Sequence, residues 1–361
     1  MSLVDIELQT LLFKGVSSER RLAEAELSQK GISLPLRARC VWADAFPDLR
    51  NELFVVRGSS GLCGALAWER HPSHALAGHE ILRAWHVGAT LPGPAARVAI
   101  SALSKLVRED SRILRAHVET YSASAEVRSQ IGTVLAACGF QRLDEPTNYR
   151  STLLTALDDK DDSTHFASLT RRVRQDIRAI EKFPIALRRI FETDLSVRMN
   201  ALLRESLART GGIHKDVAFE PIIQLSQLRP DLSTILGLFR TDVIGSESLI
   251  AFAWGINQGD VGVYDVGAST RVPEFKNLSL GYPLVWGLIA WARSVGLPSF
   301  DFGGVTPGSS ESDDRLGRIS DFKRRFSKDV VDVAEEWVYA PHLVRNAVAS
   351  AISKVGTLVR R

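Results

Sequence analysis

Apolar residues in the first half of the chain fall in short runs bounded by turn residues. ELFVVRG and LCGALAWER flank Ser59-Ser60-Gly61, a pattern that predicts two strands joined by a tight turn. EILRAWHV predicts a third strand, and PGPAARVAISALSKLVRED then turns to helical spacing behind its two prolines. ILRAHVET predicts a strand, AEVRSQIGTVLAACGF a helix closed by Gly139, and NYRSTLLTAL a further strand. The order strand-strand-strand-helix-strand-helix-strand fits a mixed sheet with helices on its faces.

The acidic run from Asp158 to Ser163 has no apolar period and reads as an exposed connector. Beyond it, helices are expected over Leu169 to Glu181 and Met199 to Arg209. Strands STILGLFR, SLIAFAWGI and VGVYDVGAS follow, then the helix YPLVWGLIAWARSVG and the strand SFDFGG. The expected division is a first module at 1–157, a connector at 158–163, a second module at 164–340 and a basic helix at 341–361. Element order alone carries the idea of one architecture used twice, since no residue repeat links the halves.

Composition narrows the function classes. A chain of 361 residues with 45% hydrophobic and 24% charged positions suits two folded domains. A formal net charge of +3 excludes a general polycation, so any anion-binding site must be local. Cys40, Cys63 and Cys138 are odd in number, widely spaced and without a CxxC motif, which points to neither a disulfide framework nor zinc. His71, His74 and His79 share a loop, with His86 beyond it, but without an HExxH frame, and no metal is expected. The acidic start MSLVDIELQT does not read as a signal peptide, and no apolar run is long enough to span a bilayer, so a cytoplasmic location is expected. The C-terminal HLVRNAVASAISKVGTLVRR is amphipathic and basic; packing on the protein body is expected, with peripheral contact to an anionic membrane as the other reading.

Four features between Leu249 and Val338 occur together and in order. Gly267-Ala268-Ser269 close a hairpin; Trp291, Ala292 and Gly296 end a helix; Asp301, Gly303 and Gly304 follow a strand; and Phe322, Lys323 and Phe326 precede the last strand. This stretch resembles the C-terminal module of Fem-type aminoacyltransferases. Arg174, Ile177, Arg178, Glu181 and Lys182 match the arginine-rich helix that opens that module, and Pro92-Gly93-Pro94 is similar to a first-module turn, without its arginine. The resemblance implies an α/β fold of two tandem acetyltransferase-like (GNAT-like) domains sharing a cleft. It also implies an N-acyltransferase that needs no bound cofactor, the acyl donor being a co-substrate.

Direct amide formation needs an amine held at a carbonyl, an acceptor for its proton, and positive charge where the oxyanion develops. No Ser-His-Asp or Cys-His signature is present, so direct transfer is the economical mechanism. By resemblance, Phe322 and Lys323 match the pair that contacts the donor's end and stabilises charge there. Read from the residues alone, Phe322 and Phe326 bury one helical face and Lys323 belongs to a solvated cluster with Arg324 and Arg325. Asp301 can accept a proton or pair with a cation, and Gly303 and Gly304 permit close approach of a ligand or simply a tight turn. Arg171, Arg174, Arg178 and Lys182 share one helical face, suited to phosphates or to solvent. Glu119 stands where the family often carries an aspartate before proline that helps hold or deprotonate the amine; here Thr120 follows it. Tyr264, Asn277 and Tyr282 lie within the matching stretch and complete the candidate substrate-binding set.

The donor expected first is aminoacyl-tRNA through its 3′ end, and the acceptor an amine of a cell-wall precursor or other small molecule. The alternative is an acyl-CoA donor, against which stands the lack of a [QR]xxGx[GA] loop before a helix. A third reading is a module that binds tRNA or a sugar nucleotide without chemistry.

Overall fold

A computed structural model describes residues 8–88, 90–144, 149–157, 161–210, 216–271, 273–275, 277–309, 311–312, 314, 317–342, 344–349 and 351–352. The chain divides into two compact units, residues 1–150 with 332–361, and residues 151–331.

The first unit carries β1 (Gln9–Lys14), α1 (Ser18–Gln29), α2 (Cys40–Ala45), β2 (Arg50–Gly58), β3 (Gly61–Pro72), β4 (Glu80–Gly88), α3 (Pro94–Glu109), β5 (Ile113–Tyr121), α4 (Ala125–Ala137) and β6 (Gln141–Arg142). The second carries β7 (Ser151–Ala156), α5 (Asp162–Ser168), α6 (Arg171–Ala179), β8 (Ile185–Arg189), α7 (Leu195–Thr210), α8 (Phe219–Leu228), β9 (Ser233–Arg240), β10 (Leu249–Asn257), β11 (Val261–Ser269), α9 (Gly281–Ser294), β12 (Ser299–Val305), α10 (Gly317–Lys323) and β13 (Val330–Asp332). The last strand, β14 (Ala334–Tyr339), returns to the first sheet.

Each unit is built on a seven-stranded mixed sheet, ordered β1-β2-β3-β4-β5-β14-β6 in the first and β13-β7-β12-β11-β10-β9-β8 in the second. Antiparallel hairpins lead into one parallel pair per sheet, β4 with β5 and β11 with β12. Alternation sorts the side chains. In the first unit Phe54, Val56, Leu66, Trp68, Leu82 and Val118 meet Ala99, Ile100, Leu103 and Val107 of α3. On the opposite face Leu53, Val55 and Ala65 pack on Ala23 and Leu27 of α1. In the second unit Leu284, Leu288 and Trp291 of α9 lie on Leu236, Leu238, Ile250 and Ala253.

The strands predicted from apolar runs are present, and so are the helices α3, α4, α6, α7 and α9. Sequence reading did not find β1, α1, α2, α5, α8 or β8. One assignment changes: the run NYRSTLLTAL falls in the expected first module, but β7, formed from it, pairs antiparallel with β12 in the second sheet. In turn β14 pairs with β5 and β6 in the first. An apolar strand carries no mark of which sheet it joins; the free edges at β5 and β12 decide it.

Of the expected C-terminal helix, residues 344–349 and 351–352 are helical. Arg345 donates to the carbonyl of Ser111 at 2.8 Å and Ala349 is buried, while Val344 and Val348 are exposed. Residues 353–361 lie outside the described set. Among the described residues no helix is long and apolar enough to cross a membrane, and no three His, Cys, Asp or Glu side chains converge as metal ligands.

Candidate active site

The "DFGG" segment forms a β-bulge. Asp301 faces Leu154 and Gly304 faces Thr152, so Phe302 and Gly303 together oppose a single residue of β7. Gly303 sits at φ +75°, where an L side chain is strained, and a Cβ there would lie 3.2 Å from the Lys323 ammonium. Asp301, 3% exposed, turns its carboxylate back onto the bulge. Oδ1 accepts from the Gly303 N–H at 2.6 Å and also from the Thr152 hydroxyl.

Lys323, the last residue of α10, reaches into this bulge. It is buried at 7% exposure, and Nζ donates to the Gly304 carbonyl at 2.8 Å. Its ammonium lies 6.0 Å from the Tyr264 ring. Burial pulls its pKa down to about 8, and the nearby Asp301 charge works against that fall. A solvated charge run would leave this lysine in water. Instead Arg325 is exposed and Arg324 is engaged by Asp321 and the Gly308 carbonyl, while Lys323 is the member that turns inward.

Phe322 and Phe326 do bury one face. Phe322 stacks on Tyr282 with centroids 5.0 Å apart, and Phe326 lies 5.4 Å from both Tyr282 and Phe302. Tyr282 is therefore an aromatic packing partner, its hydroxyl pKa raised mainly by burial. Phe322 and Tyr264 also line a cavity of about 1220 Å³. Its walls include Phe252, Phe275 and Leu284, and among the described residues three cations reach it: Arg209, Arg271 and Arg318. Arg209 donates to the Ser269 carbonyl at 2.7 Å, and Asp314 supplies an acid. Burial raises the Tyr264 pKa to about 12, so its hydroxyl stays protonated at neutral pH. Sequence reading missed the three arginines because α7, the segment after β11 and α10 contribute one each.

The basic face of α6 divides. Thr170 caps the helix, Val173 and Ile177 are buried, and Arg171, Arg178 and Lys182 are exposed. Arg174 folds back onto the carbonyls of Ala167 and Leu169, and Arg178 lies over the Phe166 ring at 5.0 Å. Arg174 thus has a structural task, and Arg171 and Lys182 remain the outward charges. Asn277 is exposed and does not line the cavity.

Glu119 belongs to the first unit, on β5, buried at 7% exposure. Directly opposite in the ladder is Glu336 of β14, equally buried. The same strand carries His117, whose pKa burial and the charges of Arg115 and Arg83 push down to about 4. Beside it, His86 has φ 55° and its ring lies 4.4 Å from that of Tyr121. Burial lowers the His86 pKa to about 4 as well, helped by Arg37. Glu336 was invisible to sequence reading because β14 arrives from the far end of the chain.

No protein-family model matches this sequence, and no curated protein matches it. Solved structures do. The structure of FemX is similar over 94% of this chain and 100% of that one, with a TM-score of 0.73 and 13% identity. A tandem GNAT protein from the clavulanic acid biosynthesis pathway matches over 93% and 99%, at a TM-score of 0.55 and 12% identity. The C-terminal domain (DUF2156) of a putative lysylphosphatidylglycerol synthetase from Agrobacterium fabrum matches over 94% and 96%, at 0.54 and 15%. Identities this low speak for the fold, which is the tandem acetyltransferase-like architecture that FemX shares.

Proposed function

We propose that this protein is an N-acyltransferase that joins an activated acyl group to an amine in one direct step, with aminoacyl-tRNA as donor. The observation that carries the reading is Lys323: an ammonium buried at a strand bulge, with one N–H engaged by Gly304 and Asp301 nearby. A preorganised cation of this kind stabilises the oxyanion that forms as an amine attacks an ester carbonyl. Phe322, the residue before it, faces the cavity and offers an aromatic wall to the donor's end. The fold shared with FemX and the motif resemblance to Fem-type aminoacyltransferases support the same class. The donor is then a co-substrate and not a resident cofactor, the acceptor is an amine of a cell-wall precursor or another small molecule, and a cytoplasmic setting suits both. Arg171 on α6 and Lys182 in the turn after it, both exposed, fit the phosphates of a tRNA end.

One observation favours a second reading, an acyl-CoA donor. The cavity carries Arg209, Arg271 and Arg318 beside the first turn of α9, whose N-terminus has no side-chain cap and so leaves N–H groups for phosphate. The test supplies charged tRNAs and acyl-CoA thioesters, each labelled in the acyl group, together with a panel of amine acceptors. Label leaving aminoacyl-tRNA for the acceptor is the expected result. Label leaving only the thioester establishes the second reading, and failure with both donors overturns the enzyme assignment.

A further inference from the structure

We propose that Thr152, brought from β7 into the second sheet, fixes Asp301 as the positioning residue that keeps Lys323 charged and aimed. The inference rests on the reading of Lys323 given above but is tested without substrate.

The geometry is local and closed. Opposite Gly304 in the ladder, Thr152 is 2% exposed, and its hydroxyl donates to Asp301 Oδ1. The same oxygen accepts the Gly303 N–H at 2.6 Å. Two donors on one carboxylate oxygen hold that carboxylate in place beside the bulge. A buried ammonium needs such a counter-charge, because desolvation otherwise drives it to the neutral amine. The Asp301 carboxylate is the charge that acts on Lys323 in the direction of keeping its proton. Lys323 faces the Tyr264 ring from β11 and the Asp301 charge from β12, and Asp301 is held from β7 by the uncharged Thr152. On its own turn, Arg324 is paired with Asp321 and Arg325 is exposed. Thr152 is thus the link by which a strand from the far side of the connector enters the chemistry.

The experiment reads the Lys323 proton in the full-length protein, without donor or acceptor. Competitive labelling of lysines with acetic anhydride across pH 6 to 11, quantified by peptide mass spectrometry, gives the midpoint at which Nζ becomes nucleophilic. An opposite charge at close range moves a pKa by ~1–3 units, so Asp301→Asn is expected to lower this midpoint by roughly one unit or more. Thr152→Val, which keeps the shape and removes the hydroxyl, is expected to lower it by less, and Thr152→Ser to restore it. An unchanged midpoint in folded Asp301→Asn overturns the proposal. Should that variant fail to fold, Thr152→Val decides the matter, and a wild-type midpoint there overturns it equally. If the midpoint moves as expected while acyl transfer is unaffected in the same variants, the oxyanion role of Lys323 falls and this inference stands.

Discussion

The two parallel strand pairs end differently. In the first unit β4 and β5 stay paired to their last residues, through two register shifts, with Gly88 beside Tyr121. In the second, β11 and β12 pair only as far as Val263 and Asp301, although both strands continue. The position of the bulges explains the contrast. Trp85 and His86 bulge within the β4–β5 ladder itself, so the strand bends without leaving its partner. In the second unit Asp265 bulges on the β10 side of β11, and Phe302 with Gly303 on the β7 side of β12. Each strand is bent on its outer ladder and the inner one opens. Lys323 and the carbonyls of Tyr264 and Gly304 gather at that opening, whereas the first seam is filled by the rings of His86 and Tyr121. A shared architecture thus gives one shut seam and one open one.

The most severe way to break this contrast is to remove the cation from the open seam. Lys323→Met keeps the apolar stem and deletes the charge, and loss of one oxyanion donor costs ~3–4 kcal/mol, a fall of about 10²–10³ in rate. Single-turnover transfer should show that loss while the thermal melt stays near wild type, since the variant sheds a buried charge as well as a hydrogen bond to Gly304. A near-normal rate would return Lys323 to a packing role.

The shut seam is tested by stability. A Cβ on Gly88 would come 2.2 Å from the Tyr121 carbonyl oxygen, a backbone atom that cannot move aside alone. Gly88→Ala is expected to destabilise the first unit by about 2–3 kcal/mol, read by denaturant midpoint. If the substitution costs nothing, the strands are not held together there as described.

Much of this difference is absent from the sequence for physical reasons. The hairpin β10–β11, the helix α9 and the strand β12 were legible because their apolar runs are long and bounded by Gly, Asn and Asp. The motif Phe322-Lys323 was legible as a resemblance, but its local composition pointed to a solvated cluster, because burial depends on β11 and β12 meeting α10. The pairing of Thr152 with Asp301, and of Glu119 with Glu336, depends on the chain passing to the second unit just before β7 and returning to the first just before β14. Nothing local encodes that exchange. The short helix α5 and the edge strand β8 carry too few apolar positions for periodicity to single them out, whereas α8, which buries Phe219, Ile222, Ile223 and Leu225, had the apolar positions and was overlooked.

Acid should separate the units further. His86 and His117 both have folded pKa values near 4, below the ordinary 6.5 of histidine. The unfolded chain therefore binds more protons between those values, and stability rises with pH there. The contribution is complete above pH 6.5 and lost as pH falls through 4. Unfolding should take up as many as two protons in that window from these histidines, and His86→Gln with His117→Gln should flatten this part of the profile. A slope unchanged in the double variant would mean that neither ring is buried neutral.

The last test is at Gly303, where the open seam is tuned rather than abolished. Its φ of +75° costs an alanine ~1–2 kcal/mol, because the left-handed region brings Cβ toward the following carbonyl. That alone is a modest loss, smaller than at Gly88. The added methyl, however, would lie 3.2 Å from the Lys323 ammonium and 3.1 Å from the Tyr264 carbonyl oxygen, close enough that the flexible lysine must shift. The bulge backbone is held by Asp301 and Thr152, so the displacement falls on Nζ. Gly303→Ala is expected to lower the melt only slightly and the transfer rate by a larger factor, less than Lys323→Met, because a misplaced charge still acts over distance. Calorimetry and single-turnover rates on the same preparation separate the two effects. Equal losses in both would mean that the glycine serves the turn alone, and that the ammonium does not depend on the space beside it.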